Sequence, residues 1–391
     1  MQNESFQSDR AGKLVRAQTG YWAFVPNPLP PQLDLDRSHI LQLSEAERAI
    51  GRLAGVGATL PNPYLLIHPF IRREAVLSSR IEGTQASLSD LFFFEAAPSL
   101  PARATDVREV ANYVRAMEAA LDPKRELPLS LRLIREMHRI LMTGVRESHL
   151  TPGEFRRSQN WIGPAGSKLN DAIIVPPPVA EMHAALDALE KYLHAPSDLP
   201  VLVRLAMIHY QFEAIHPFLD GNGRIGRLLV SLMLCEWKVL PSPLLYLSAF
   251  FERHRQDYYR LLLAVSQKGQ WESWVQFFLS GVLEQSLDAI QRAARLRALR
   301  DEYQNGLQRA RSSALLLKLV DGLFHHPAIT VPGAARQLKV TQRAASQNIG
   351  KLVRAGILTE ATGRARNRIF VANGIIRAIE EDLPSADKDP S

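Results

Sequence analysis

The stretch His216–Arg227, "HPFLDGNGRIGR", puts a histidine, an acid, three glycines and two arginines into twelve residues between two apolar runs. "LVRLAMIHYQFEAI" has a helical pattern and runs into His216, and Pro217 pushes the residue before it toward extended geometry, so a helix is expected to end there. After the glycines "RIGRLLVSLML" starts another. Gly221, Asn222 and Gly223 therefore stand at the mouth of a helix, where unpaired N–H groups and the positive dipole end favour an anion. The expected unit is a helix-loop-helix shaped around phosphate.

Arg224 and Arg227 are three apart on the first turn, so both can fork onto phosphate oxygens. Asp220 would be repelled by those phosphates unless a cation lay between, and one carboxylate plus phosphate oxygens is a usual way to hold Mg²⁺. His216 is the nearby group whose ordinary pKa suits a general base at neutral pH. Taken singly, a His-Pro is most often a helix end, Gly-Asn-Gly a turn, and paired arginines a solvated face. Six compatible elements at fixed spacing argue against coincidence.

Working outward, "SEAERAIGRLAGVGATL", "PYLLIHPFIRREAVLSSRIEGT", "DVREVANYVRAMEAAL", "SLRLIREMHRILMTGV", "PVAEMHAALDALEKYLHA" and "RQDYYRLLLAVSQ" repeat apolar residues at helical spacing, with Pro or Gly between them. The fold class is mainly α. The exception is "FRRSQNWIGPAGSKLNDAIIVPPP", which the pattern predicts to be a small β-hairpin. Residues 1–35 are expected to be an extended arm. The expected organisation is an N-terminal helical region over 1–110, a catalytic core over 111–290, a connecting helix over 291–312, a separate unit over 313–375 and a disordered tail over 376–391.

A chain of 391 residues is too long for one ordinary core. No apolar run approaches the ~20 residues that span a bilayer, no secretory leader is visible at the N-terminus, and the lone Cys235 leaves no internal disulfide. A soluble cytoplasmic protein is the expectation. Between Arg311 and Gly374 ten Lys or Arg stand against Asp321 and Glu360, a surplus of eight against +7 for the whole chain. The basicity belongs to the C-terminal unit and invites a polyanion.

At every defined position "HPFLDGNGRIGR" resembles the active-site motif of Fic domain proteins, His-Pro-Phe-x-(Asp/Glu)-Gly-Asn-Gly-Arg-x-x-Arg. "HYQFEAI" upstream and "EFRRSQNWIGPAG...AIIVPPP", which resembles the family's flap, extend the likeness over most of residues 35–290. The resemblance implies a helical core with a flap hairpin, and transfer of AMP from ATP to a Tyr, Thr or Ser hydroxyl of a target protein, itself included. It assigns His216 as the base, Asp220 to Mg²⁺, Gly221, Asn222, Gly223, Arg224 and Arg227 to the nucleotide phosphates, and Trp161, Ile162 and Ile174 to strand addition of the target on the flap. In "YLSAFFERHRQDYYRLL", Tyr258 and Tyr259 are candidates for the base pocket, and His254 stands where relatives commonly carry Asn.

"LSSRIEGT" raises a second matter. Glu82 closes an apolar-periodic helix before Gly83, where an acid faces the negative dipole end at a cost of roughly 0.3–1 kcal/mol. A surface acid paired with Arg80 is the bland interpretation. Ser78 and Glu82 on one face resemble the Ser-x-x-x-Glu-Gly inhibitory motif of Fic proteins whose inhibitory helix lies N-terminal to the site. That implies a Glu82–Arg227 pair blocking the γ-phosphate, and in some relatives removal of AMP by water.

The C-terminal patterns "SSALLLKLVDGLF", "TVPGAARQLKV", "TQRAASQNIGKLVRAG" and "ILTEATGRARNRIFVA" give three helices and two short strands, the order of a winged helix-turn-helix. Thr341, Gln342, Arg343, Gln347 and Lys351 would face a major groove, with Arg364, Arg366 and Arg368 on the wing. Protein contacts are the competing use of such a unit, and a homodimer is compatible with both halves of the chain. Two functions compete: an autoinhibited protein adenylyltransferase, and a DNA-binding regulator that senses ATP. A sensor has no need of a base beside the α-phosphate, so His216 discriminates between them.

Overall fold

The computed structural model describes residues 3–17, 20–59, 64–98, 106–145, 151–164, 166–309, 313–364 and 366–381. The chain is mainly helical, as expected. It opens with an antiparallel hairpin, β1 (Gly12–Arg16) and β2 (Trp22–Pro26). Four helices follow: α1 (Arg37–Thr59), α2 (Tyr64–Ile81), α3 (Leu88–Ala96) and α4 (Asp106–Ala120). Then come α5 (Leu131–Met142), α6 (Val179–His194), α7 (Val201–Ile215), α8 (Asn222–Glu236), α9 (Ser248–Arg253) and α10 (Arg255–Lys268). Local signals set several of these ends. Ser87 and Asp90 form a reciprocal capping box on α3, Ser130 caps α5, and Gly269 closes α10 in the left-handed region.

The sequence of α7 is apolar all round, and the helix is buried along almost its whole length, packed against α6 and α8. It is the axis on which the loop after it is mounted. The next helix, α11 (Trp271–Arg309), runs for 39 residues, about 58 Å at 1.5 Å per residue. Its first half places Trp274 and Phe278 in the core beside α7, and its second half carries the C-terminal unit. Arg292 donates to the carbonyls of Ile379 (2.7 Å) and Glu381 (2.8 Å), and Arg300 pairs with Asp321 (2.8 Å).

That unit comprises α12 (Ala314–His325), β3 (Ala328–Thr330), α13 (Val331–Leu338), α14 (Gln342–Arg354), β4 (Thr359–Glu360), β5 (Ile369–Val371) and α15 (Asn373–Glu380). The strands form an antiparallel sheet in the order β3-β5-β4. Thr330 caps α13 and Thr341 caps α14 through their hydroxyls. The unit does not stand apart. Helix α2 packs on α4, α8 and α9 and also on α12 and α15, and the His68 ring lies 5.0 Å from that of His325.

Several expectations need correction. The arm over 1–35 contains the β1–β2 hairpin, because "KLVR" and "WAFV" alternate around a turn. The connecting helix expected over 291–312 is the second half of α11 as far as Arg309, and 310–312 lie outside the described residues. The tail over 376–391 begins in helix, since "NGIIRAIE" buries Ile375, Ile376 and Ile379, while 382–391 lie outside the described residues. The flap holds a single antiparallel bridge, Ile162–Ile174, in place of a two-stranded ladder. Side chains take the carbonyls a ladder would use: Gln159 donates to Pro176 O and Arg156 to Pro177 O. Among the described residues no helix is long and apolar enough to cross a membrane.

Candidate active site

The loop between α7 and α8 begins at His216, which adopts a left-handed conformation (φ 49°, ψ 60°) in place of the extended one expected before Pro217. The strain is held by hydrogen bonds from the base of the flap. Arg156 Nε (3.1 Å) and Asn160 Nδ2 (3.1 Å) both donate to His216 O, Asn160 also donates to Phe218 O (2.8 Å), and Arg156 N–H donates to Pro217 O (2.9 Å). On the other side His216 Nδ1 lies 3.2 Å from Glu213 O. A carbonyl can only accept, so Nδ1 carries the proton and Nε2 is left as the basic atom. Burial, with the Arg156 charge, pushes the imidazole down to about 4 against the Glu213 carbonyl, and the ring is neutral at pH 7.

Gly221 takes the N-cap of α8 with φ 79°, and no side chain caps this end. A Cβ there would be strained and would meet Met142 Sδ at 3.2 Å and His138 at 3.4 Å. The first N–H groups of α8 thus open onto the site. Asn222, assigned to the phosphates, is buried at 2 % exposure and spends its amide inward, accepting from Phe218 N–H (2.9 Å) and donating to Phe218 O (2.8 Å). Its side chain shapes the loop, and its contribution at the surface is its backbone.

The two arginines diverge. Arg224 turns to Glu109 (3.2 Å) and Asp220 Oδ2 (3.0 Å). Glu109 is raised by burial against the pull of Arg224. Arg227 is fully engaged with the end of α2: Nε donates to Ser78 Oγ (2.8 Å), and Nη2 to Ser78 O (2.9 Å) and Glu82 Oε1 (2.7 Å). Burial opposes the Arg227 charge, but Glu82 together with Tyr258, Glu213 and Tyr259 outweighs it, and the guanidinium is held more firmly protonated. Arg80, the bland partner for Glu82, faces Glu252 at 4.0 Å instead.

Glu82 follows the last turn of α2, and Gly83 leaves it at φ 97°. Its carboxylate lies over Gly223, so close that a Cβ on Gly223 would overlap Oε1. The acid that is mismatched with its own helix end is thus placed at the N-terminal end of α8, where a phosphate would be stabilised.

Tyr258, expected at the base pocket, is a core residue at 1 % exposure, with its hydroxyl 2.8 Å from His209 Nε2 and its ring stacked on Phe251. Tyr259 is 42 % exposed, with Arg255 over its ring. His254 sits at the α9–α10 junction against Phe250, 4.6 Å between ring centroids. On the flap, Trp161 is exposed and donates from Nε1 to Ser167 O (2.9 Å), while Ile174 is buried. Arg343, Gln347, Arg364, Arg366 and Arg368 are all exposed on α14 and the β4–β5 connection, more than 100 residues along the chain from the loop.

Four residues of this site carried no sequence expectation: Glu109, His138, Arg156 and Asn160. Arg156 and Asn160 lie in "EFRRSQN", where a buried Arg reads like any loop Arg. His138 falls in line with Ile134, Met137 and Leu141 in "LRLIREMHRILM", and that place on the apolar face was the available signal; the structure buries it to 1 %. Burial pushes it down to about 4, so it too is neutral.

Residues 40–122 match the Fic/DOC family N-terminal model and 128–234 the Fic/DOC family model. The chain is 31 % identical over 166 residues to a protein adenylyltransferase Fic of Aedes aegypti, covering 41 % of this chain and 29 % of that one. It is 28 % identical over 169 residues to the Drosophila erecta protein of the same name, covering 42 % and 30 %. The chain thus spans less than a third of the length of these relatives. A crystal structure of a Fic family protein from Desulfovibrio desulfuricans G20 shares the fold at a TM-score of 0.55 and 19 % identity, over 88 % of this chain and 98 % of that one. The loop that mounts His216 and opens α8 lies inside the segment that matches the Fic/DOC family model.

Proposed function

We propose that this chain is an autoinhibited protein adenylyltransferase. The observation that carries this function is His216, held with Nε2 as a neutral base beside the open N-terminus of α8. Nε2 takes the proton of a Tyr, Thr or Ser hydroxyl on a target protein. The oxygen attacks the α-phosphorus of ATP, the new O–P bond forms, the bond to the β-phosphate bridging oxygen breaks, and pyrophosphate leaves. The N–H groups of Gly221–Gly223 and the helix dipole stabilise the developing charge. No group of three or more potential ligands surrounds a metal position among the described residues, and the half-exposed carboxylate of Asp220 suits Mg²⁺ shared with phosphate oxygens. When bound there it would neutralise phosphate charge.

Glu82 is the brake in this proposal. It occupies the Arg227 valence and the helix-end position meant for phosphate, which supports a weak wild-type enzyme. The same carboxylate could orient water for removal of AMP from modified protein. The test is to incubate wild type, Glu82→Gly and Glu82→Gly/His216→Ala with Mg²⁺ and α-labelled ATP, with and without lysate. Label that appears with Glu82→Gly and disappears with His216→Ala supports the proposal. No label in any lane, despite ATP binding, overturns it.

A second proposal concerns residues 314–371, whose helix, strand, helix, helix, strand, strand order supports a winged helix that binds DNA. Between Val331 and Val371 eight Lys or Arg face a single acid, Glu360, whose carboxylate accepts from the Thr362 and Gly363 amides of its own turn. That exposed, predominantly basic surface supports an anionic partner over an apolar one, and DNA is the polyanion proposed.

A further inference from the structure

His138, on α5, bonds both Gly153, just ahead of the flap base, and Asp220 in the loop before α8. Its Nδ1 accepts from Gly153 N–H at 2.9 Å, and its Nε2 lies 3.0 Å from Asp220 O. The partners determine the tautomer: an amide N–H only donates and a carbonyl only accepts, so Nδ1 is bare and Nε2 carries the proton. One face and one edge of the ring are used as well. The ring stacks on Phe218 with centroids 3.7 Å apart and planes 7° from parallel, and its edge meets the Cβ position that Gly221 leaves empty. Gly153 is in turn held from α5, where Arg135 Nε donates to Gly153 O at 2.8 Å.

We infer that His138 is a positioning residue whose Nε2–H bond to the Asp220 carbonyl sets where the Asp220 carboxylate is presented to a divalent cation and the nucleotide. The loop from Pro217 to Gly221 has no regular backbone pairing of its own. Its shape comes from Asn222 and Asn160 holding Phe218, and from His138 holding Phe218 and Asp220. Among the described residues, the His138 bond is the one that acts on the peptide of Asp220 itself. At the far end of the site the hydrogen bonds of Arg227 among the described residues go to Ser78 and Glu82 and not to His138, so the effect of losing the clamp should be centred on the cation.

The inference rests on the nucleotide-binding function proposed above, and two variants separate the ring's two bonds. His138→Gln carries an amide N–H near the Nε2 position, and His138→Asn offers a carbonyl near the Nδ1 position. Binding of Mn²⁺ in the presence of ADP is measured by electron paramagnetic resonance, and hydrogen exchange of the peptide containing residues 216–227 is measured in the ligand-free protein. The expected result is Mn²⁺ binding within about threefold of wild type for Gln and about tenfold weaker for Asn, with faster exchange at 219–221 in Asn alone. Wild-type exchange and Mn²⁺ binding in the Asn variant, or equal losses in both, would overturn the role of His138. A wild type that binds no Mn²⁺·ADP, with exchange still distinguishing the variants, would leave the clamp standing and overturn its link to the cation along with the proposed function.

Discussion

Removing the Glu82 carboxylate should sharpen the protein's preference for a triphosphate. In Glu82→Ala the 2.7 Å bond to Arg227 is lost, while the two bonds from Arg227 to Ser78 remain and keep the guanidinium in place. A charge-assisted hydrogen bond of this kind is worth about 1.5–3 kcal/mol. Because the Glu82 side chain is 34 % exposed against 1 % for Arg227, solvent screening puts the value at the low end, about 1.5–2 kcal/mol. That capacity passes to whichever anion replaces Glu82 over Gly223. At 1.4 kcal/mol per factor of ten the gain is about 10- to 30-fold. If the anion is the third phosphate, ATP binding and kcat/KM should both rise by that factor, whereas ADP binding should move by less than about threefold. Isothermal titration of both nucleotides against wild type and Glu82→Ala, with label transfer alongside, is the assay. An equal gain for ADP and ATP would refute the placement of Arg227 at the third phosphate. No gain for either would refute the brake.

Three other outcomes follow from the same structure. With His216 pushed down to about 4, its proton is off well below neutrality, so the pH profile of the Glu82→Gly enzyme should be flat from pH 6 to 8 and fall only below about pH 5; a midpoint near 6.5 would contradict the burial argument. Gly226→Ala would drive a Cβ into Glu213 Oε1, a buried oxygen with no partner on a carboxyl that burial pushes up to about 8, and should destabilise the fold by about 1–3 kcal/mol in calorimetry. An unchanged thermal midpoint would mean that Glu213 can swing away. Replacing Arg364, Arg366 and Arg368 by alanine should weaken DNA binding and flatten the plot of log affinity against log salt by about 2.5, read by fluorescence anisotropy; an unchanged slope would remove the wing from the DNA contact.

The loop from His216 to Arg227 was legible where its signals are local, a helix stop and a helix start around glycines; the bonds from His138, Arg156 and Asn160 that hold its shape come from far along the chain and left no mark in the sequence. The Glu82–Arg227 pair spans 145 residues and no spacing rule reaches it; it was visible only because Ser78, Glu82 and Gly83 resemble a known pattern. Tyr258 and Tyr259 show the limit of periodicity. Adjacent helical residues point about 100° apart, and only the packing of His209 and Phe251 decides that Tyr258 goes inward. The flap failed for a different reason, since strand-like residues predict a ladder and take no account of Arg156 and Gln159 claiming the carbonyls of Pro177 and Pro176. Helix α15 was lost because its acidic end runs straight into a polar tail.

Helix α2, which delivers Ser78 and Glu82, owes its position to two neighbours that a modular description would keep apart. One flank lies on α8 and α9; the other meets α12 and α15, with His326 reaching 3.5 Å from Glu95 and Arg72 buried between Glu95 and Glu118. A truncation before Ser313 would therefore strip one wall from the helix while leaving every residue of the catalytic loop intact. Such a fragment would report a loosened restraint and would not stand in for an isolated enzyme. If Glu82 restrains the site as proposed, exchanging the C-terminal unit for another would also change the packing of the helix that delivers it, so the restraint and the contacts of that unit would change together.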